Sequence, residues 1–256
     1  MLLSRPHFSK IDSMKCLIIA AGKGSRLRSL TKVKPLISLK NRSLIERVIG
    51  SAIEAGADDF YVVVGYKGAS VRSHLEEVSR SKKVSITVIE NKEWERANGI
   101  SVLKARSYLN EPFLLMMGDH IFDAEIARIL IRKSLHNDGV LLAVDEDLEN
   151  SFIDMEDVTR VLVRENQIQK IGKGMESYNC FDTGIFLCGP ELFKAIENSS
   201  LNGESLSKKL GIFNLNVSEL IQGENNSASE GISNSGNNSM FSDTSDPKKE
   251  DHVSNN

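Results

Sequence analysis

Residues Leu17-Ile18-Ile19-Ala20-Ala21-Gly22-Lys23-Gly24 constrain the fold more than any other stretch of this 256-residue chain. A short apolar run ends in small residues and then in two glycines spaced by one. The run reads as a buried strand. Its exit reads as a loop whose backbone approaches a ligand closely, because Gly carries no Cβ and tolerates unusual φ. Backbone N–H groups in such a loop point at anions. Arg26 and Lys34 then add fixed positive charge, the lysine within Lys34-Pro35-Leu36. This is equipment for holding a triphosphate.

The rest of the chain repeats the pattern of strand and helix. Leu44–Ala55 has apolar residues at helical spacing, with Ser43 as N-cap and Gly56 as stop. Strands are expected at Phe60–Val64, Val84–Ile89, Phe113–Met117 and Gly139–Val144. Helices are expected at Ala69–Ser79, Ile100–Leu109 and Ala124–His136. Such alternation means an α/β fold with a mainly parallel sheet, whose ligands bind outside the carboxyl ends of the strands. The glycine loop, Glu90-Asn91 and Gly118-Asp119 all fall at such ends. After Thr159 the pattern turns antiparallel. Thr159–Arg164 and Gln167–Ile171 read as a hairpin turning at Glu165-Asn166, followed by Phe181–Cys188, a strand interrupted by Gly184, and a short helix at Pro190–Asn198. This small antiparallel insertion is a natural place for a second substrate.

Composition bounds the function. At 40% hydrophobic residues the chain can build one sizeable core. A net charge of −3 and the lack of a basic patch with interleaved aromatics give no case for nucleic acid. No apolar run reaches the length of a membrane span, so no membrane insertion is expected. Three cysteines, Cys16, Cys180 and Cys188, lie far apart without metal-ligand spacing, which points to a reducing compartment and a cytoplasmic location. Residues 1–13 carry no secretion signal and read as a disordered lead, with Met14 as an alternative start. Residues 14–221 form the expected domain. Residues 222–256 are dominated by Asn and Ser and read as a disordered tail.

Several segments carry a resemblance. Ala-Ala-Gly-Lys-Gly-Ser-Arg-Leu followed by Lys-Pro-Leu resembles the signature of the sugar-phosphate nucleotidyltransferase superfamily. Asn98-Gly99-Ile100-Ser101, Met117-Gly118-Asp119-His120, Lys170-Ile171-Gly172-Lys173 and Tyr178-Asn179-Cys180-Phe181-Asp182-Thr183-Gly184 narrow it. Together they are similar to the cytidylyltransferase domain of the archaeal-type CTP:inositol-1-phosphate cytidylyltransferases, from about Lys15 to about Cys188. The resemblance implies a Rossmann-like, GT-A-like three-layer sandwich. It implies transfer of CMP from CTP to inositol 1-phosphate, or to another phosphomonoester such as phosphocholine or a sugar 1-phosphate. It also implies Mg²⁺ as cofactor. The product would pass to a separate membrane-bound CDP-alcohol phosphotransferase.

By the same resemblance Gly22, Gly24 and Arg26 hold the β,γ-phosphates, and Lys34 stabilises the α-phosphate region. Ala20, Ala21, Asn98, Gly99 and Ser101 lie near the nucleoside. Asp119 binds Mg²⁺, as a hard cation prefers carboxylate oxygen. Lys173 meets the phosphate of the acceptor, and Asp182 and Thr183 face its hydroxyls. Other readings of these residues stand beside those roles. Asp119 could cap the following helix, Asp182 could pair with Lys173 or Arg160, His120 could be structural or the partner of a ligand, and Trp94 could pack or cover the nucleotide. One departure stands out. The family carries a late Trp-x-Asp-x-Asp-type segment with a second metal-binding Asp. Nothing after Leu206–Leu215 reads as such a segment, and Asp243 and Asp246 lie in the polar tail. A non-catalytic nucleotide-binding relative is therefore a further reading.

Overall fold

The computed structural model describes residues 13–24, 33–133, 135, 139–202 and 212–216. Arg26, Asp243, Asp246, residues 1–12 of the lead and the 222–256 tail lie outside the described residues. In chain order the elements are β1 (Met14–Ala20), β2 (Ser38–Leu39), β3 (Arg42–Ser43), α1 (Leu44–Ala55), β4 (Ala57–Val64), α2 (Gly68–Lys82), β5 (Ser85–Glu90), α3 (Asn98–Leu103), β6 (Phe113–Met117), α4 (Ala124–Arg132), β7 (Val140–Asp145), β8 (Arg160–Arg164), β9 (Gln167–Gly172), β10 (Cys180–Cys188), α5 (Glu191–Asn202) and β11 (Ile212–Asn216).

Nine strands make one sheet in the order β5-β4-β1-β6-β10-β7-β11-β9-β8, and β2 and β3 pair separately. β5, β4, β1 and β6 are parallel. β10 runs antiparallel between β6 and β7. β11 is parallel to β7, and β8 and β9 close the far side as an antiparallel pair. The antiparallel strands therefore continue the same sheet. The carboxyl ends of β1, β4, β5, β6, β7 and β11 share one edge.

The alternation of side chains along β1 explains the layers. Cys16, Ile18 and Ala20 share a buried cluster with Ile45, Val48 and Ile49 of α1, Val71 and Leu75 of α2 and Leu130 of α4. Leu17, Ile19 and Ala21 share another with Val102 of α3 and Phe193 and Ile196 of α5. A strand covered on both faces has no polar side, which is why it reads as a continuous apolar run. Ile45, Val48 and Ile49 are 0% exposed, and each contributes roughly 1.5–3 kcal/mol by burial. No helix among the described residues is long and apolar enough to cross a membrane.

Local signals decide most boundaries. Ser43 Oγ accepts the N–H of Glu46 at the start of α1, and Gly56 ends it with φ 110°. Glu165 and Asn166 both take positive φ, 49° and 59°, as a tight hairpin of the primed type requires. Four helices differ from expectation: α2 runs on past Ser79 to Lys82 and α5 past Asn198 to Asn202, while α3 and α4 end early. α3 begins at Asn98 and ends at Leu103, earlier at both ends than 100–109. Beyond it Ala105, Arg106 and Tyr108 each donate to the carbonyl three residues back, so the chain tightens into turns. α4 stops at Arg132, where Lys133 is already extended. β11 was not expected at all. Its residues, Ile-Phe-Asn-Leu-Asn, are short and interleaved with polar side chains.

Candidate active site

The glycine loop leaves β1 at the centre of the sheet edge. Gly24 has φ +66°, and a Cβ there would lie 2.8 Å from Lys34 Cβ and 2.9 Å from Lys34 Cδ. Its bare backbone thus clears a path for the lysine stem. Lys34 opens a single 3₁₀ turn stiffened by Pro35, and its Nζ forms an ion pair with Asp119 Oδ2. Asp119 follows β6, the strand next to β1. Gly118 makes that proximity possible. Its N–H donates to Ile19 O at 2.9 Å, and a Cβ would meet Ala20 Cβ at 3.0 Å. Gly22, Gly24, Lys34, Pro35, Gly118 and Asp119 border an open cleft. The structure therefore brings together Ala20, Gly22, Gly24, Lys34 and Asp119. Ala21, buried, adjoins them and accepts the N–H of Tyr66 at 2.9 Å. Asp119 is not a helix cap, since α4 is capped by Asp123, which accepts the N–H of Glu125 at 2.9 Å.

The candidate nucleoside contacts divide. Asn98 is exposed in the first turn of α3, not in a loop before it. A Cβ at Gly99 would lie 3.1 Å from Ile196 Cγ2, so this glycine lets α3 approach α5. Ser101 is buried, and its hydroxyl accepts from Asn91 Nδ2 at 2.9 Å. Asn91 also donates its N–H to Val64 O at 2.8 Å and accepts from Glu93 N at 2.9 Å. This buried asparagine ties β4, β5 and α3 at the site's edge. Its signal was a polar residue directly after an apolar strand. Trp94 packs: a Cβ at Gly65 would run into Trp94 Cβ, and its ring meets Tyr66 edge-on with centroids 5.3 Å apart.

On the acceptor side the expected partners do not converge. Lys173 is exposed and pairs with Asp157. Arg160 donates to Met175 O at 2.6 Å and Met155 O at 3.2 Å, and stacks over Tyr178. Asp182 pairs with neither. Its Oδ1 accepts from Gly184 N at 2.7 Å. Burial pushes its carboxyl above the ordinary value, while that N–H and the nearby His120 pull it down. Thr183 Oγ1 donates to Ala143 O at 2.7 Å. Both side chains thus hold backbone. His120 lies between the two sides, with Nδ1 3.1 Å from Thr183 O and Nε2 3.8 Å from Asp119 Oδ1.

Among the described residues no three His, Cys, Asp or Glu side chains cluster to hold a metal. Mg²⁺ does not require such a cage. It is held by one or two carboxylates together with substrate phosphates. Asp119, facing the glycine loop across the cleft, offers the carboxylate oxygen that such a cation takes. β11, Ile212-Phe213-Asn214-Leu215-Asn216, carries no carboxylate and so supplies no second metal-binding Asp. The strand ends at the same edge as β1 and β6, with Asn216 in register with Val144.

The chain is similar to several known proteins. The "Bifunctional IPC transferase and DIPP synthase" of Rubrobacter xylanophilus is 32% identical over 197 residues, covering 77% of this chain and 43% of the relative. The chain thus spans less than half the length of that relative. The "UTP--glucose-1-phosphate uridylyltransferase AglF" of Haloferax volcanii is 30% identical over 135 residues, covering 52% of this chain and 54% of the relative. Among solved structures, the inositol-1-phosphate CTP transferase from T. maritima superposes with a TM-score of 0.65 at 27% identity, covering 84% of this chain and 82% of that one. Residues 16–183, well over half of the chain, match the family described as "MobA-like NTP transferase domain", and the chain belongs to that family.

Proposed function

We propose that this protein transfers CMP from CTP to inositol 1-phosphate, releasing pyrophosphate and forming CDP-inositol. The observation that carries the reading is the Lys34–Asp119 pair across the glycine-loop cleft. It sets one fixed cation and one carboxylate where a triphosphate and its metal would meet. An oxygen of the acceptor phosphate attacks the α-phosphorus in line, and the bond to the β-phosphate oxygen breaks. Such a reaction needs no covalent nucleophile from the protein. It needs two anions held together and developing charge neutralised. The loop backbone at Gly22 and Gly24, with Arg26, takes the β,γ-phosphates. Lys34 turns to the α-phosphate. Asp119 would hold Mg²⁺, which would supply positive charge to offset that of the phosphates. Ala20 and Ala21 lie on the nucleoside side, with Asn98 and Gly99 beyond. The β8–β10 side receives the acceptor, while Asp182 and Thr183 hold the backbone of β10. The choice of CTP and of inositol 1-phosphate is supported by the names of the Rubrobacter and T. maritima relatives. Free, buried Cys16, Cys180 and Cys188 accord with a reducing, cytoplasmic setting.

A second reading has its own observation. β11 offers Asn214 and Asn216 and no carboxylate, which favours a nucleotide-binding relative with weak or no turnover. Pyrophosphate release separates the two, measured with CTP, Mg²⁺ and a panel containing inositol 1-phosphate, phosphocholine and glucose 1-phosphate. Release with inositol 1-phosphate alone is expected. Turnover only with another acceptor would move the substrate. CTP binding without release would establish the second reading.

A further inference from the structure

The Gly118-Asp119-His120 and Asp182-Thr183-Gly184 segments, with His120 and Thr183 63 residues apart in the chain, meet through one ring. Gly184 has φ +76°, and a Cβ there would run into His120 Nδ1 and stand 2.8 Å from Cε1. The bare face of Gly184 is therefore a seat for the imidazole. Thr183 O lies 3.1 Å from Nδ1, so Nδ1 carries the proton of that hydrogen bond. Nε2 is left facing Asp119, 3.8 Å from Oδ1. The seat is made by an irregularity. The register of β10 against β7 shifts between Asp182 and Phe186. Such bulges bend a strand and re-aim its side chains. Here Asp182 Oδ1 accepts from Gly184 N and Thr183 Oγ1 donates to Ala143 O, each at 2.7 Å. The polar groups of Asp182 and Thr183 are spent on holding the bend, and the bend holds His120.

We infer that His120 is a positioning residue that ties the Asp119 turn to the bend of β10. Resting on the function proposed above, it sets the gap across which the acceptor oxygen meets the α-phosphorus. One side of that gap is the turn after β6. The other is the bend of β10, whose first residues pair with β8. Among the described residues, no other side-chain hydrogen bond from the turn after β6 reaches β10. A displacement of 1 Å across a reacting gap costs about 100-fold in rate, so a tie of this kind governs kcat more than ligand affinity.

The test compares wild type, His120→Ala and His120→Asn by steady-state pyrophosphate release, calorimetric CTP binding and hydrogen exchange read by mass spectrometry. His120→Ala should lower kcat by at least about tenfold, leave the CTP dissociation constant essentially unchanged, and speed exchange in both 118–121 and 182–186. His120→Asn can still donate to the Thr183 carbonyl and should recover most of kcat and of the protection. An unchanged kcat in His120→Ala, faster exchange in only one of the two segments, or no rescue by Asn would overturn the tie. If wild type itself releases no pyrophosphate with any acceptor, the proposed reaction falls. The paired exchange result then decides the tie alone.

Discussion

Lys34 is the residue on which the proposed chemistry leans most. Its ammonium is partly exposed and its pair with Asp119 borders solvent, so the pair adds at most about 1 kcal/mol to stability. Its removal should therefore separate activity from folding. Lys34→Ala should cut turnover by more than about 100-fold, the order of losing one preorganised charge-stabilising group, while the thermal midpoint stays close to wild type. A near-normal rate would remove Lys34 from the mechanism. Asp182 gives a pH prediction. Burial raises its carboxyl above the ordinary value of about 3.9. The stability that its protonated form lends is present below that ordinary value and is lost as pH rises through the raised one. At neutral pH the charge is a cost. Asp182→Asn keeps an oxygen for the Gly184 N–H, so it should raise the thermal midpoint at pH 8 and leave it nearly unchanged at pH 4. Equal shifts at both pH values would show that charge is not the cause. At this scale Gly22, Gly24 and Asp119 were legible because they follow the ends of β1 and β6, whereas Lys34, well beyond β1, was legible only through its Lys-Pro-Leu context. The acceptor side was not. Whether Asp182 meets Lys173, Arg160 or its own backbone depends on a register shift in β10 that no local pattern encodes.

Among the elements, α1 was the most legible. Ser43, the spacing of Leu44 to Ile53 and Gly56 mark both ends by chemistry that acts within one turn. Ser43 has a second task, since its Oγ lies 2.7 Å from His74 Nε2 on α2. Ser43→Ala should thus cost somewhat more than the usual ~1 kcal/mol of a lost N-cap, read as a drop in denaturant midpoint at constant slope. His74→Ala in the Ser43→Ala background should then add little if the two side chains act as a pair. The bounds of α3 were harder, because Ser101 answers to Asn91 and Gly99 to Ile196, contacts made by other elements. β11 escaped because five residues of mixed polarity become a strand only when β7 and β9 stand on either side.

For the molecule as a whole, the alternation of strands and helices revealed the layers, and the strand exits revealed the edge that bears the cleft. Strand order was not visible, since it rests on pairings between residues far apart in the chain. A ligand filling the cleft joins the exits of β1 and β6 and should stabilise the whole sheet. At a hundredfold excess over its dissociation constant, CTP with Mg²⁺ should add about 2.7 kcal/mol, a rise of roughly 5–10 °C for a domain of this size. Chelation of the metal should shrink the rise, and ATP should produce less of it. An equal rise with every nucleotide would argue against a cytidine-selective site.

The interior place of β11 has a consequence for the newborn chain. β5, β4, β1 and β6 can pair once residue 117 has left the ribosome, so the donor edge exists early. β7 then waits about 70 residues for its second neighbour, several seconds at roughly 5–20 residues per second. During that interval a β7 edge, one of the most apolar in the sheet, is open to any passing strand. Translation speed between residues 145 and 216 thereby becomes a determinant of how much of this protein reaches its native sheet.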